Sequence, residues 1–153
     1  LTGYSIYNSL GLTTQLSNVI QIGKNVVRPA FQRGQYTISF IKQNNIITKE
    51  NIPLLQILDA IRYIQKIPDT TIGKSCKRLS VILKNLSGTE MSTLVRLALK
   101  YPPSARALLG TLLDTIQADD VSQPLYNSLN PITKYRLPGL KKEFPEADKW
   151  NFS

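Results

Sequence analysis

Tyr36-Thr37-Ile38-Ser39-Phe40-Ile41-Lys42 is the stretch that decides the fold. Its residues are β-branched and aromatic, and they alternate, with Tyr36, Ile38 and Phe40 on one face. That period of two predicts a strand. Arg33-Gly34 reads as the turn before it, and Asn44-Asn45 ends it. Past Thr48 the period changes. Ile52, Leu55, Leu58, Ile61 and Ile64 recur at helical spacing, with Thr48 as the expected N-cap and Pro53 in the first turn. A chain that switches once from strand to helix period, and stays helical, points to α+β.

On the N-terminal side, Tyr4, Ile6, Tyr7 and Leu10 fit one face of a short helix that Gly11 stops. Residues 18–22 then read as a strand, and Gly23-Lys24-Asn25 as a turn. On the C-terminal side, Pro68 closes the first helix, and Asp69 or Thr70 is expected to cap the next. That helix aligns Ile72, Cys76, Leu79, Leu83 and Leu86. Ser87-Gly88 separates it from a third, with Met91, Leu94, Val95, Ala98 and Leu99 facing in. Tyr101-Pro102-Pro103-Ser104 breaks the chain again. Ala105, Leu108, Leu109, Leu112, Leu113 and Ile116 form the most regular stripe of all. Residues 121–130 add a short turn of helix, and Asn130-Pro131 opens an irregular tail with Tyr135, Leu137, Phe144 and Trp150 as anchors. The expectation is one domain over residues 1–153. A short helix and strands over 1–47 form a small N-terminal sheet packed with a C-terminal bundle of about four helices over 48–130, and the tail covers 131–153.

The chain has 153 residues, 42% of them apolar, enough for a core. No apolar run approaches the roughly 20 residues of a membrane helix, so no membrane partner is expected. No basic start followed by an apolar stretch marks a signal peptide. With no His and a single Cys, His-based catalysis, thiolate zinc sites and disulfide scaffolds are excluded within this sequence. The only Met is Met91 and the sequence opens on Leu1, which reads as a fragment of a longer protein.

Candidate chemistry is sparse. Cys76 falls on an apolar stripe without a base, so a buried structural thiol is expected. Asp59 lies three residues before Arg62, an ordinary ion-pair spacing. Asp119-Asp120 reads as a solvated loop or helix N-terminus. Gly73-Lys74-Ser75 echoes the end of a phosphate loop, but the first glycine is missing and the segment is helical. No catalytic residue, cofactor site or metal site is assigned.

The basic residues carry the remaining signal. The formal charge is +9, and residues 1–49 hold five basic residues and no acid. Arg28, Arg33 and Lys42 form one candidate patch around the sheet. Lys74, Lys77, Arg78 and Lys84 form a second, opposite the apolar stripe of their helix. A solvated face explains either patch. So does a surface for nucleic-acid phosphates or an acidic protein, where each cation releases a counterion. Tyr36, Ile38 and Phe40 read as core in preference to a base-stacking platform.

Two strings resemble a known family. They are Gly3-Tyr4-Ser5-Ile6-Tyr7-Asn8-Ser9-Leu10-Gly11-Leu12-Thr13-Thr14-Gln15 and Lys100-Tyr101-Pro102-Pro103-Ser104-Ala105-Arg106-Ala107-Leu108-Leu109-Gly110, the latter followed by Leu129-Asn130-Pro131. Together with the strands between them they resemble the C-terminal region of bacterial AbiEi-family antitoxins and related transcriptional regulators. The resemblance implies a non-enzymatic antitoxin or interaction domain of a cytoplasmic toxin–antitoxin regulator. It implies as partners a nucleotidyltransferase-like toxin or its RNA target. DNA would be reached through an N-terminal winged helix that this sequence lacks. The family supplies no catalytic residues. The alternative is a nucleic-acid-binding module that uses its basic patches without strong sequence preference.

Overall fold

The computed structural model describes every residue except Thr14 and Leu16, and Tyr4 through its backbone alone. The fold class is α+β, with a three-stranded sheet and seven α-helices among the described residues. The chain divides into two compact units, Leu1–Thr70 and Thr71–Ser153. The division falls inside the stretch expected as one helical unit.

The first unit opens with α1 (Tyr4–Ser9). Gly11 stops it as expected. Its φ is +75°, its N–H donates to Asn8 O at 3.0 Å, and Leu12 N–H donates to Tyr7 O at 2.8 Å. This is the double-bonded left-handed helix end that glycine favours, and Leu12 and Tyr7 are both buried beside it. Of the family-like string around it, Thr14 and the side chain of Tyr4 lie outside the described residues.

Three strands follow: β1 (Val19–Lys24), β2 (Phe31–Arg33) and β3 (Tyr36–Lys42). The sheet order is β1-β3-β2. β1 runs parallel to β3 with Val19 opposite Thr37 and Lys24 opposite Lys42, while β2 is antiparallel with Phe31 opposite Ile38 and Arg33 opposite Tyr36. The bounds of β3 match the sequence reading. β1 does not end at a Gly23-Lys24-Asn25 turn, because its pairing with β3 carries Gly23 and Lys24 into the ladder. The turn comes later, where Asn25 Nδ2 donates to Gln43 O and Asn45 O.

α2 (Ile52–Arg62) completes this unit and runs into a 3-10 turn, Ile64–Lys66. Leu55, Leu58, Ile61 and Ile64 are buried as the stripe requires, but Ile52 is exposed. Thr48 does not cap the helix. Asn51 holds that position, and Thr48 instead closes the turn before it, accepting from Asn51 N–H at both its carbonyl and its hydroxyl.

The second unit holds α3 (Ile72–Lys84), α4 (Gly88–Ala98), α5 (Pro103–Thr115), α6 (Asp119–Asn127) and α7 (Leu140–Glu143). Thr71 caps α3, accepting from Lys74 N–H, and the cap is neither Asp69 nor Thr70. Asp69 takes a positive φ of 52° and accepts from Gln15 within the first unit. Ser87 and Glu90 form a reciprocal capping box at the start of α4. On α4, Leu94, Val95 and Ala98 are buried as expected and Leu97 is buried with them, but Leu99, past the end of the helix, is exposed. α5 is the centre of this unit. Ala105, Leu108, Leu109, Leu112 and Leu113 are buried, and so are Ala107, Gly110 and Thr111 on the other side. Its Ile116 is half-buried. α6 extends the short turn expected over 121–130, with Asp119 and Asp120 in its first turn.

The tail, expected as irregular, holds two short helical turns and one bridge. Beyond α7 it forms a 3-10 turn, Pro145–Asp148, and Tyr135 bridges Phe152 in parallel. Leu137, Leu140, Phe144, Trp150 and Phe152 are buried. Among the described residues no helix is long and apolar enough to cross a membrane.

Candidate nucleic-acid interface

Side chains alternate along a strand, and paired residues share a face. The register therefore gathers Lys24 on β1, Phe31 and Arg33 on β2, and Tyr36, Phe40 and Lys42 on β3. Ring contacts agree. The Phe31 and Phe40 centroids lie 6.1 Å apart, and Lys24 Nζ stands 5.6 Å from the Phe40 centroid. Phe31 is 43% exposed and Tyr36 38%, while Ile38 between them is buried and Phe40 is half-buried. The Tyr36–Ile38–Phe40 stripe was expected as core. Only its middle residue is core.

Cations sit at both ends of this face. Arg33 lies opposite Tyr36 at one end, and Lys24 lies opposite Lys42 at the other. Arg33 and Lys42 are exposed. Arg28 is exposed in the connection from β1 to β2. Of the three residues proposed for this patch, the structure brings Arg33 and Lys42 onto one face and keeps Arg28 beside the strands. Sequence reasoning missed Lys24 and Phe31. Lys24 was assigned to a turn, and a strand of three residues is too short to show a period. No acidic residue precedes Glu50 in the sequence.

The second patch differs. Lys74, Lys77, Arg78 and Lys84 are all exposed along α3. Lys77 Nζ, however, pairs with Glu143 Oε1 at 3.2 Å. The Glu143 carboxylate also packs against Gly73, where a Cβ would overlap it. This weighs further against Gly73-Lys74-Ser75 as a phosphate loop: a carboxylate occupies the space beside Gly73, and the segment is helical. Exposed pairs such as Lys77–Glu143 contribute about 0–1 kcal/mol. Their presence still lowers the field that α3 offers a polyanion.

Other candidate groups take structural places. Cys76 is fully buried, and burial, with Glu143 adding to it, pushes its thiol up to about 12 from 9.0. Asp59 is buried on α2, where it lines a cavity of about 240 Å³ with Ile22, Gln43 and Leu55. Among the described residues, no three His, Cys, Asp or Glu side chains gather as a metal site.

Comparison with protein-family models, curated proteins and solved structures finds no match to this chain.

Proposed function

We propose that the chain is a non-enzymatic binding module that holds single-stranded nucleic acid on the open face of its sheet. The observation that supports this is the grouping of rings and cations on one face: exposed Phe31 and Tyr36 and half-buried Phe40 lie with Arg33 at one end and the Lys24–Lys42 pair at the other, in a stretch with no acid before Glu50. Bases stack on aromatic faces without regard to sequence, and each cation neutralises a phosphate. The face presents no helix to a duplex groove, so strong sequence preference is not expected. Three phosphate contacts on a single strand give log K a slope of about −2 against log salt. Fluorescence anisotropy with labelled single-stranded RNA and DNA tests this across a salt series. R33E/K42E should abolish binding and Phe31→Ala should weaken it. Unchanged affinity in the charge-reversed variant would sink the reading, and a preference for duplex would move the site elsewhere.

A second reading rests on the resemblance of residues 3–15 and 100–110 to AbiEi-family antitoxins. Under it, this chain is the interaction region of a bacterial, cytoplasmic toxin–antitoxin regulator. Its partner is the toxin's RNA target or the nucleotidyltransferase-like toxin itself. The two readings meet if the bound strand is that RNA. Survival on induction of the adjacent toxin, with and without R33E/K42E, tests the connection.

A further inference from the structure

The opposite face of the same sheet carries a separate feature. Val19, Gln21 and Ile41 alternate away from the aromatic face and, with Tyr7, Ser17, Tyr63 and Lys66, line a cleft of about 680 Å³. That is within the range of small-molecule sites, and clearly larger than the clefts of about 240 and 260 Å³ found elsewhere. Val19 and Ile41 give it an apolar floor. Tyr63 gives it an aromatic wall near two cations: Arg62 Cζ lies 5.0 Å and Lys66 Nζ 5.4 Å from the ring centroid. Lys66 is exposed and Val19 is 41% exposed, so both are open to a ligand.

The polar groups around Gln21 are also unfinished. Thr2 bridges Gln21 across the edge of β1, and Ser39 lies opposite it on β3. The buried Thr2 Oγ1 and Ser39 Oγ find no hydrogen-bond partner among the described residues. Both hydroxyls lie beneath the surface and outside the cleft lining, so Gln21 is the amide that a polar guest in the cleft would meet. The guest must be flat enough for Tyr63, apolar enough for Val19 and Ile41, hydrogen-bonding at Gln21, and anionic at Lys66.

We propose that this cleft binds one nucleotide, its base between Tyr63 and the Val19–Ile41 floor and its phosphate on Lys66. The site goes beyond strand binding on the opposite face and does not depend on it. Free nucleotide and the 5′-phosphorylated end of a strand share this chemistry.

The test is an amide NMR titration of the whole chain with adenosine monophosphate, repeated in the R33E/K42E variant so that the other face is silent. Shifts should cluster at Val19, Gln21, Ile41, Tyr63 and Lys66 in both proteins. Lys66→Gln should weaken binding roughly tenfold, the loss of one charge-assisted contact. Adenosine and ribose 5-phosphate should each bind more weakly than the nucleotide. Tyr63→Leu, which keeps the apolar volume, serves as a second variant and should also weaken binding. Shifts outside the cleft, no saturation at millimolar ligand, or an affinity indifferent to Lys66→Gln would overturn the proposal. In the silent-face variant, tighter capture of a 5′-phosphorylated hexanucleotide that remains sensitive to Lys66→Gln supports the site with a strand end as its ligand. Adenosine monophosphate binding without that gain supports it with the free nucleotide.

Discussion

Trp150 Nε1 donates a hydrogen bond of 2.8 Å to Asp114 Oδ2, tying the chain's tail to its central helix. Ser122 Oγ donates to the other carboxylate oxygen at 2.6 Å, and Lys149 Nζ approaches Oδ2 at 3.3 Å. Three side chains, one from α6 and two from the tail, therefore converge on one carboxylate side chain that is only 8% exposed. The indole lies flat against Gly110, where a Cβ would overlap the ring, and meets Tyr126 edge-on at 5.2 Å. The tail has little regular secondary structure, yet its position is set by this cluster and by buried Leu140 and Phe144.

Asp114→Ala should cost about 1–3 kcal/mol, since it strands the buried Trp150 N–H, while the Ser122 hydroxyl keeps a second acceptor in Asp119 O at 3.0 Å. Trp150→Phe should be coupled to it by about 1–3 kcal/mol in a double-mutant cycle. Urea unfolding measures both. Additive single changes would show that the bond contributes little.

Leu109 lies at the fully buried middle of α5. Leu109→Ala should lose about 2–5 kcal/mol through transfer and cavity terms. A loss below about 0.5 kcal/mol, the range of surface sites, would place α5 outside the core.

Cys76 should react slowly with thiol reagents, because the thiolate is the reactive form and burial disfavours it. The same shift makes a stability prediction. The folded thiol ionises near 12 and the unfolded one near 9.0, so from pH 9 upward the unfolded state releases a proton that the folded state keeps. The contribution is fully present below pH 9 and falls as pH climbs towards 12. The stability advantage of the native protein over Cys76→Ala should therefore shrink by up to roughly 4 kcal/mol across that window. A gap that stays constant with pH would show that the thiol is not desolvated.

How much of this was legible in the sequence follows from how many residues carry each signal. β3 and α5 were readable because seven and thirteen residues repeat one period. β2 was not, since Phe31–Arg33 is too short to alternate visibly. Lys24 was misplaced because Gly23-Lys24-Asn25 has turn chemistry, and only pairing with Lys42 extends the strand over it. The cap of α3 fell on Thr71 because Asp69 is held in a left-handed turn bonded to Gln15, which local sequence cannot show. Leu99 was placed on the buried stripe of α4, but the helix ends at Ala98 and Leu99 is the exposed residue past its last turn. The α3 cations were all found, but the carboxylate beside Lys77 lies 66 residues away, at Glu143. The cleft beside Tyr63 was not foreseen, because its lining residues come from α1, the segment before β1, β1, β3, the end of α2 and the 3-10 turn after it.

The two basic faces should separate when each is reversed in turn. R28E/R33E/K42E places three carboxylates where residues 1–49 otherwise hold no acid at all. It should remove single-strand binding and flatten its salt dependence, because the counterions released on binding come from those contacts. K74E/K77E/R78E/K84E reverses a face on which Lys77 already faces Glu143. Its effect on strand affinity should be within about threefold, a loss of long-range attraction only, and it should fade as salt rises. Circular dichroism checks that both variants keep their helices, since Lys77→Glu sets two carboxylates together beside Gly73. If the α3 variant loses the strand and the sheet variant keeps it, the interface belongs on α3 and Phe31 and Tyr36 are bystanders. If neither variant loses it, charge on these faces serves solubility alone. In cells carrying the adjacent toxin the same pair of variants asks a different question. Lost protection with the sheet variant links strand binding to neutralisation, whereas lost protection with the α3 variant alone assigns that role to an acidic protein surface.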